Sequence, residues 1–409
     1  MAQTDHYRET LRFATTGFVG RAELEAAPIL SRRDLDGAGD AIRSELATYA
    51  FSSYSSGTTE SPVIIDRSAE EQNYLTEFFN LLNRDDVAIP RLALLAASWH
   101  HGRRLELPGN ICVLAVSLAA RTGYDIAHRL LSRQFRTGGP THIAVIAGAT
   151  NRIEQLTRYL QLRESDGFPD IDELHVSGQY LSERSKTYLE EYWRAPVHDT
   201  YSLTELFGSA FRCIECGLYH FHPFIFPEAV DLVSGQRISK GRGRLLLTGL
   251  YPFTQMTPII RYSPGDVVEV SPIVCSIGRP GFQFLGRVAR ALILQSGKGP
   301  NWILTGADVI EAVGTINEVA IFRDPAPIPE ECQGVGAPKF GVLPSIPETL
   351  AIELTFDPKV EPERTNRIGQ LIRDRLAANA PQAAQPSLRA LKLRLVPPGT
   401  LDAISVSRP

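Results

Sequence analysis

The segment His142-Ile143-Ala144-Val145-Ile146-Ala147-Gly148 decides how the fold of this chain is predicted. It is short, almost wholly apolar and closed by a glycine, which is typical of a strand buried on both faces of a parallel sheet. Residues 152–162 follow with apolar positions at helical spacing, and strands and helices alternate in the same way on both sides of this pair. Such alternation predicts a mostly parallel sheet covered by helices, with ligands beyond the carboxyl ends of the strands. The other predicted elements of this pattern are strands at 111–116, 174–176 and 197–201 and helices at 123–134 and 182–193.

The remainder of the chain has two other textures. Residues 1–50 and 68–82 show helical spacing, and Trp99 is placed near a helix end. From Arg212 onward, short strands between Gly and Pro turns predict a small, largely antiparallel β unit. After Gly286 the pattern returns to strands (319–322, 350–356, 391–396) and helices (307–316, 363–378).

These patterns together predict an α/β protein of two domains. The large N-terminal domain, residues 1–285, contains the helix-covered, mostly parallel sheets and the small β unit. The small C-terminal domain, residues 286–409, is α+β and is expected to act as a lid. A chain of 409 residues fits two or three domains.

Composition and charge exclude some classes of protein. A net charge of −4 offers no basic surface of the kind that nucleic acid requires. The N-terminus lacks the pattern of a secretory signal, and no apolar run is long enough to cross a bilayer, so no membrane partner is expected. Five cysteines in so long a chain do not form a disulfide framework, and the expected location is the cytoplasm.

A polar loop is the first segment with chemical content. In Tyr54-Ser55-Ser56-Gly57-Thr58-Thr59-Glu60-Ser61-Pro62, clustered hydroxyls, a glycine and a closing proline favour a loop over a helix or strand. Hydroxyl and backbone N–H donors of such a loop can surround an anion, and Gly57 allows a close approach of the backbone. A flexible serine-rich linker is the alternative, since no Gly-Lys-Ser/Thr marks the loop as the common phosphate loop.

Four motifs follow this loop in order along the chain. Tyr201-Ser202-Leu203-Thr204-Glu205 comes after a predicted strand, and Arg261-Tyr262-Ser263-Pro264-Gly265-Asp266 comes before another. Gly286-Arg287 opens the predicted linker, and Pro397-Pro398-Gly399-Thr400-Leu401 lies near the end. Taken singly, each has an ordinary structural explanation as a helix cap, a turn or a solvated side chain. In this order, the set resembles the adenylate-forming (acyl- and aryl-CoA synthetase) superfamily, most closely its phenylacetate–CoA ligase-like branch.

The resemblance implies a role for each motif in making an acyl-adenylate from ATP and a carboxylic acid. Thr204 would donate its hydroxyl to the α-phosphate, Glu205 would hold Mg²⁺, and Arg287 would lie near the ribose or phosphate. Because both reactants are anions, catalysis would consist largely of positioning and charge neutralisation. The residues implied to bind ATP are Ser55, Ser56, Gly57, Thr58 and Thr59 at the terminal phosphates, Gly178 and Gln179 beside the adenine, Tyr201 against the adenine ring and Asp266 at the ribose hydroxyls.

The chain also departs from the family pattern. Glu60 stands where relatives usually have glycine, and Val288-Ala289-Arg290 replaces an acidic pair at the hinge. Relatives usually carry a lysine after the C-terminal motif that reaches the α-phosphate, whereas here no lysine follows Lys392. Arg408 is the nearby cation, and a guanidinium is no equivalent of a compact ammonium. Adenylation with another cation, binding of ATP and acid without turnover, and truncation of the sequence are the three open hypotheses.

Cysteines and histidines suggest a second site. Cys213 and Cys216 have the Cys-x-x-Cys spacing of zinc ligands, His220 and His222 follow, and Cys275 comes later. Three thiolates and either of the two histidines can close a tetrahedral zinc site, and some relatives carry a similar set. Burial of small apolar side chains is the alternative explanation of free cysteines. We predict a structural zinc site and leave the choice between the two histidines open.

The predicted function is therefore ATP-dependent activation of a carboxylic acid, with an aromatic acid as the family-weighted expectation. The acid pocket is placed between the strand ends and the turn at 201–208, with residues 147–151 and Phe207 as walls. The acyl group would pass to coenzyme A, to a carrier thiol or to the nucleophile of a downstream enzyme, in a setting such as secondary metabolism. A non-catalytic or partner-dependent relative that binds nucleotide and acyl group is the alternative, favoured by the missing lysine.

Overall fold

A computed structural model gives the structure of the protein over most of its length. Residues 4–10, 20–54, 63–82, 91–97, 111–135, 141–163, 167–272, 275–294, 302–324, 326–343 and 348–403 are described. Within these ranges, no helix combines the length and the apolarity that a membrane span requires. The predicted phosphate loop Ser55–Thr59, together with Glu60, Trp99 and Arg408, lies outside them.

Helices form where the sequence supplies apolar spacing and caps. Ser68 and Glu71 form a capping box, with Ser68 N donating to Glu71 Oε2 at 2.5 Å and Glu71 N donating to Ser68 Oγ at 3.1 Å. The helices predicted between residues 68 and 378 are confirmed, with ends that differ by a few residues. The α-helices are α1 (Asp5–Thr10), α2 (Arg21–Ala26), α3 (Arg32–Ala38), α4 (Ala69–Leu82), α5 (Arg121–Leu131), α6 (Thr150–Gln161), α7 (Glu183–Trp193), α8 (Gly306–Val313), α9 (Pro362–Asn379), α10 (Gln385–Leu388) and α11 (Thr400–Ala403).

Strands follow the apolar runs and the turns between them. The strands are β1 (Tyr49–Tyr54), β2 (Ile64–Ser68), β3 (Arg91–Ala97), β4 (Ile111–Ser117), β5 (Ile143–Ala149), β6 (Glu173–Ser177), β7 (Val197–Ser202), β8 (Ser209–Arg212), β9 (Tyr219–Phe221), β10 (Ile225–Val230), β11 (Arg237–Ile238), β12 (Gly241–Gly249), β13 (Asp266–Ser271), β14 (Gly281–Arg287), β15 (Leu292–Leu294), β16 (Trp302–Leu304), β17 (Phe340–Val342), β18 (Thr349–Glu353) and β19 (Lys392–Val396).

One large mixed sheet organises the described part of the chain. Its order is β11-β10-β12-β13-β14-β9-β8-β7-β6-β5-β3-β4, and the pairs from β7 to β4 are parallel. The antiparallel strands predicted after Arg212 are present, and they extend the parallel sheet because β8 turns back beside β7, with Thr200 opposite Phe211. The predicted α/β fold class is thus confirmed, and the carboxyl ends of β5, β6 and β7 share one edge.

A parallel strand, β3, lies near Trp99, where a helix end was expected. Its sequence is rich in Leu and Ala, which favour helices when they are considered alone. Between β4 and β5, however, Leu94 is fully buried and Leu92 and Ala96 face the same core, so tertiary burial overrides the local preference.

The C-terminal part has its own small sheet, β17-β18-β19, packed against α8 and α9. The strand predicted at 319–322 is replaced by two single bridges, Val319 to Leu354 and Ile321 to Pro338, because its two ends face different partners. At the predicted hinge, Arg290 is buried with its guanidinium 5.5 Å from the ring centre of Phe322. Burial lowers the pKa of Arg290 to about 10.

A segment of this C-terminal part packs on the core of the parallel sheet. We call residues 326–333 the strap. Ile328 and Cys332 of the strap join the apolar core beneath α5, α6 and α7, where Cys332 is fully buried. Just before the strap, Asp324 forms an ion pair of 2.8 Å with Arg152 of α6, and both side chains are largely buried. Asp324 and the strap therefore tie the two parts of the chain together.

Candidate active site

A cavity of about 380 Å³ opens at the carboxyl ends of β6 and β7. This size suits a small-molecule ligand. Ligands of open α/β sheets bind in such crevices at the strand ends. The cavity brings together the predicted residues Gly178, Gln179, Tyr201, Thr204, Glu205, Asp266 and Arg287.

Arg67 of β2 fixes the turn that carries Thr204 and Glu205. Its side chain is fully buried, and its guanidinium donates to the backbone oxygens of Thr204 (3.0 Å) and Glu205 (2.8 Å). The same guanidinium lies 4.3 Å from the ring centre of Phe207. Arg67 therefore holds the turn through its backbone. The side chains of Thr204 and Glu205 can face the cavity.

The hairpin of β1 and β2 connects this turn to the predicted phosphate loop. Tyr54 pairs with Ile64 at the end of the hairpin, and the predicted phosphate loop follows Tyr54 in the sequence. β2 also carries Arg67, which donates to the backbone oxygens of Thr204 and Glu205. The loop itself lies outside the described residues, so its prediction stays open.

Glu205 is 4% exposed and faces the cavity between two partners. Tyr262 donates its hydroxyl to Glu205 Oε1 at 2.7 Å, and Arg32 Nη1 lies 3.7 Å from the same oxygen. Burial, reinforced by the Glu205 charge, raises the pKa of Tyr262 well above its ordinary value. Tyr262 therefore remains a neutral hydrogen-bond donor to this carboxylate.

Asp266 forms the other polar end of the cavity. Tyr201 donates its hydroxyl to Asp266 Oδ2 at 2.6 Å, and Arg287 Nη1 lies 3.1 Å from Oδ1. Burial raises the pKa of Asp266, against the lowering effect of the Arg287 charge. The Tyr201 ring stacks on Phe284, with centroids 3.7 Å apart and planes 9° apart. Both carboxylate oxygens of Asp266, the residue predicted to bind the ribose hydroxyls, therefore have protein partners.

Some cavity residues were missed by the sequence analysis. Arg32, Tyr219 and Phe284 line the cavity, although no motif marked them. The capping box formed by Ser31 and Asp34 signals a helix start at Arg32, but only the tertiary fold links that helix to the cavity.

The expected walls of an acid pocket are placed elsewhere. Neither Phe207 nor residues 147–151 line this cavity. Phe207 is buried, with its ring centre 6.2 Å from that of Phe51. Asn151 N donates to Gln179 Oε1 at 3.1 Å and so holds the strand end that follows β6.

A second cluster lies on the antiparallel half of the sheet. Cys213, Cys216, His220 and Cys275 present ligand atoms that all lie within 4.8 Å of one another. His220 Nε2 lies 3.3 Å from Cys216 Sγ and 3.4 Å from Cys275 Sγ. A tight turn brings the first two cysteines together, with Gly217 N donating to Cys213 O at 2.8 Å and Gly217 at φ +70°.

The thiols of this cluster differ in their electrostatic surroundings. Backbone N–H groups of Cys216 and Glu215 lower the pKa of Cys213, whereas burial raises the pKa of Cys216 to about 11. His222, the other predicted ligand, lies outside the cluster and stacks on Phe224 with ring centroids 5.4 Å apart. The geometry therefore chooses His220 from the pair that the sequence left open.

Several solved structures share the fold of this chain. 2-Hydroxyisobutyryl-CoA ligase, solved with 2-HIB-AMP and CoA, matches with a TM-score of 0.62 and 15% identity, over 97% of this chain and 85% of that chain. The anthranilate CoA ligase AuaEII, solved with anthranoyl-AMP, matches with a TM-score of 0.53 and 16% identity, over 86% of this chain and 64% of that chain. The fold is that of the adenylate-forming enzymes. MatB from Rhodopseudomonas palustris, solved with ATP, matches with a TM-score of 0.50 and 13% identity, over 84% and 63%.

These matches confirm the fold that the resemblance implies. No model of a known protein family matches the chain, and no curated protein matches its sequence. The phenylacetate–CoA ligase-like branch stays a prediction, because the structural matches do not single it out. The chain covers less than two thirds of AuaEII and MatB.

Proposed function

We propose that this protein activates a carboxylic acid with ATP to an acyl-adenylate and then transfers the acyl group to coenzyme A. The observation that carries the proposal is the convergence of Thr204, Glu205, Asp266 and Arg287 on one cavity at the strand ends. The fold adds support, because its solved relatives were crystallised with acyl-AMP and CoA or with ATP.

The cavity has features that fit a nucleotide. Gly178 has φ +79°, and a Cβ built there would meet nothing within 4 Å, so the strand end leaves open space for a flat ring. Asp266 can exchange its bonds from Tyr201 and Arg287 for bonds from two ribose hydroxyls. Arg287 would then remain within reach of the ribose or a phosphate, with its pKa raised by the Asp266 charge.

Glu205 fits the role of a magnesium ligand. Its carboxylate faces the cavity, and the partners described for it, Tyr262 and Arg32, both act on Oε1. Carboxylate oxygen is a preferred ligand of Mg²⁺, which when bound would neutralise charge on the ATP phosphates.

The protein would contribute to this reaction mainly by positioning the two reactants. An oxygen of the substrate carboxylate forms a bond to the α-phosphorus of ATP, the bond from that phosphorus to the bridging oxygen breaks, and pyrophosphate leaves with the electron pair. Thr204 would donate its hydroxyl to an α-phosphate oxygen, where negative charge increases in the transition state. No proton needs to be removed from an ionised acid, so the site requires no general base for this step.

Finer points of the function belong to the same proposal. Residues 1–285 would form the domain that binds ATP and acid, and residues 286–409 would form the lid. An aromatic acid remains the proposed substrate class, and the alternative acceptors are a carrier thiol and the nucleophile of a partner enzyme. A cytoplasmic protein without nucleic-acid or membrane partners is the setting that we propose.

Pyrophosphate exchange over a panel of aromatic and aliphatic acids tests the proposal. We expect exchange that depends on one class of acid, and we expect Glu205→Gln to lower it by about 100-fold or more, as loss of a group that acts on the transition state does. Glu363→Gln, an exposed change on α9, serves as the matched control. Mass spectrometry of the acyl-CoA formed on addition of coenzyme A tests the second step.

The same assay contains the outcome that contradicts the proposal. Absence of exchange across the panel, in a protein that still binds ATP, would favour the non-catalytic alternative. Exchange that Glu205→Gln leaves unchanged would show that the chemistry occurs without this carboxylate.

We also propose that Cys213, Cys216, His220 and Cys275 hold a structural Zn²⁺. Three thiolates and one imidazole are a zinc donor set, and four protein ligands leave no open position for catalysis. The ion would tie β9 to the loop between β13 and β14. Mass-spectrometric metal analysis of protein purified without chelators should give about one zinc per chain. Less than half an equivalent after growth with added zinc would overturn this ligand set.

A further inference from the structure

Arg32 is held at the cavity by a segment that is itself anchored to the core. Leu30 N donates to Arg261 O at 3.1 Å, and Ser263 N donates to Leu30 O at 2.9 Å, so the chain before α3 pairs with the motif that precedes Asp266. Ser31 and Asp34 then form a capping box that starts α3 at Arg32. The backbone of Arg32 is therefore fixed by local and long-range hydrogen bonds.

Arg261 strengthens this anchor from inside the core. Its guanidinium donates to the backbone oxygens of Glu25 and Ala27, both at 2.6 Å, and pairs with the buried Glu228 at 3.2 Å. The two contacts with backbone oxygens span more than 230 residues of sequence. They hold the N-terminal segment against the sheet and, with it, the start of α3.

The side chain of Arg32 lies at the Thr204–Glu205 end of the cavity. It is 19% exposed, lines the cavity, and places Nη1 3.7 Å from Glu205 Oε1. Two other arginines of the described lining have partners away from Glu205. Arg287 pairs with Asp266, and Arg212 pairs with Glu183 at 3.2 Å and donates to Gly217 O at 3.1 Å. Arg32 therefore lies beside Glu205, at the proposed phosphate site.

We propose that Arg32 is a catalytic residue that contacts the α-phosphate of ATP and neutralises its charge during adenylation. This inference rests on the proposed function. A guanidinium keeps its charge at all relevant pH values and can bond to two phosphate oxygens at once. It would supply this positive charge from the fixed start of α3.

The pairing of Arg32 with Glu205 is compatible with this role. At 3.7 Å, the ion pair is longer than a direct hydrogen bond, so Arg32 can turn toward an anion without breaking a short contact to Glu205. If Glu205 held Mg²⁺, the ion would compensate the charge of that carboxylate, and Arg32 would be attracted mainly by the phosphate. No bond to Arg32 forms or breaks in the reaction: the new bond joins the acid oxygen to phosphorus, and pyrophosphate leaves.

Binding of AMP and adenosine, measured by calorimetry, tests Arg32 separately from turnover. Because adenosine lacks the phosphate, the ratio of the two affinities isolates the phosphate contact. We expect Arg32→Gln to weaken AMP binding about tenfold and to leave adenosine binding unchanged, as loss of a charge-assisted bond should. Arg32→Lys should recover part of the loss. Arg33→Gln, an exposed change at the next position of α3, should leave both affinities unchanged.

Pyrophosphate exchange tests whether Arg32 also contacts the α-phosphate in the transition state. We expect Arg32→Gln to lower kcat of exchange about 100-fold with melting temperature within a few degrees of the parent. If the parent binds AMP without exchange, the proposed adenylation fails, and the AMP-to-adenosine ratio still decides the phosphate contact. Equal losses for AMP and adenosine, no loss for either, or a parent that binds neither would overturn the role of Arg32.

Discussion

The cavity and the cysteine–histidine cluster are both built from residues far apart in sequence, but their polar groups are satisfied differently. In the cavity, Glu205 faces Tyr262 and Arg32, and Asp266 is paired with Tyr201 and Arg287. In the cluster, the thiols and the imidazole of His220 lie against one another, within 4.8 Å. The cavity contains opposite charges that pair with one another. The cluster contains metal-ligand atoms whose negative charge a cation would compensate.

This difference separates exchangeable from structural polar contacts. A carboxylate that already has a hydrogen-bond donor can exchange that donor for a ligand group at little net cost, because both states are satisfied. Three thiols and an imidazole have no such balance once the thiols ionise, and a metal ion compensates the charge. We therefore expect substitutions in the cavity to change binding, and substitutions in the cluster to change folding.

The largest effect is expected for Cys216→Ser. Removal of one ligand should lower bound zinc from about one to near zero per chain and reduce the free energy of unfolding by about 4 kcal/mol, the value for a ligand at roughly 1,000 times its Kd. Metal analysis and urea unfolding with and without a chelator measure both changes. Glu215→Gln is the matched control, because Glu215 joins the same two loops through Ser276 without being a ligand. If Cys216→Ser were as stable as the parent, the cluster would not be a structural metal site.

The ion pair before the strap is a second structural contact. Arg152 and Asp324 are 13% and 8% exposed. Removal of one partner leaves a buried charge, so Asp324→Asn should lower the free energy of unfolding by about 3 kcal/mol. Urea unfolding measures this loss. Glu331→Gln, which removes a carboxylate that is 26% exposed and lies 3.3 Å from Arg163, should cost less than about 1 kcal/mol. Similar losses for the two variants would show that burial does not set the strength of these contacts.

Asp266→Asn should show the opposite behaviour. If Asp266 accepts the ribose hydroxyls, loss of its charge should weaken ATP binding about 10- to 100-fold, since bonds to charged groups contribute about 1.5 to 3 kcal/mol. The free energy of unfolding should fall less than in Asp324→Asn, because Arg287 is 33% exposed and keeps contact with water when its partner loses its charge. Calorimetry with ATP measures the affinity, and Glu269→Gln on the same strand is the control. A stability loss without an affinity loss would make Asp266 a structural residue.

The sequence predicted much of the architecture, and the reasons lie in local pattern. Strands such as β5 and helices such as α4 carry their own apolar period and caps, so their existence followed from nearby residues. β3 was missed because its Leu and Ala residues take their conformation from burial between two neighbouring strands. The continuity of the sheet through β8 was also hidden, because strand order depends on long-range pairing that no periodicity records.

The residues of the two sites also divide into those that local sequence predicted and those that depend on the tertiary fold. Thr204, Glu205, Asp266 and Arg287 were predicted because ordered motifs carry them, and the structure places them around one cavity. Arg32 was missed because its contact with Glu205 joins residues more than 170 positions apart. Strand alternation could not choose between His220 and His222, because positions two apart face the same side and His222 follows the end of β9. The choice needed the tertiary positions of Cys213, Cys216 and Cys275 around His220.

The smallest effect is expected for Tyr201→Phe, which tests whether the Tyr201–Asp266 bond of 2.6 Å is exchanged when ATP binds. The variant keeps the ring that stacks on Phe284 at 3.7 Å and removes only the hydroxyl. Without the competing donor, Asp266 should bind ribose as well as before or better, so ATP affinity should stay equal or rise up to about threefold. The free protein should lose about 1 kcal/mol of stability, the usual net value of one hydrogen bond. Calorimetry and urea unfolding measure the two quantities, and a tenfold loss of affinity would show that the hydroxyl contacts the ligand directly.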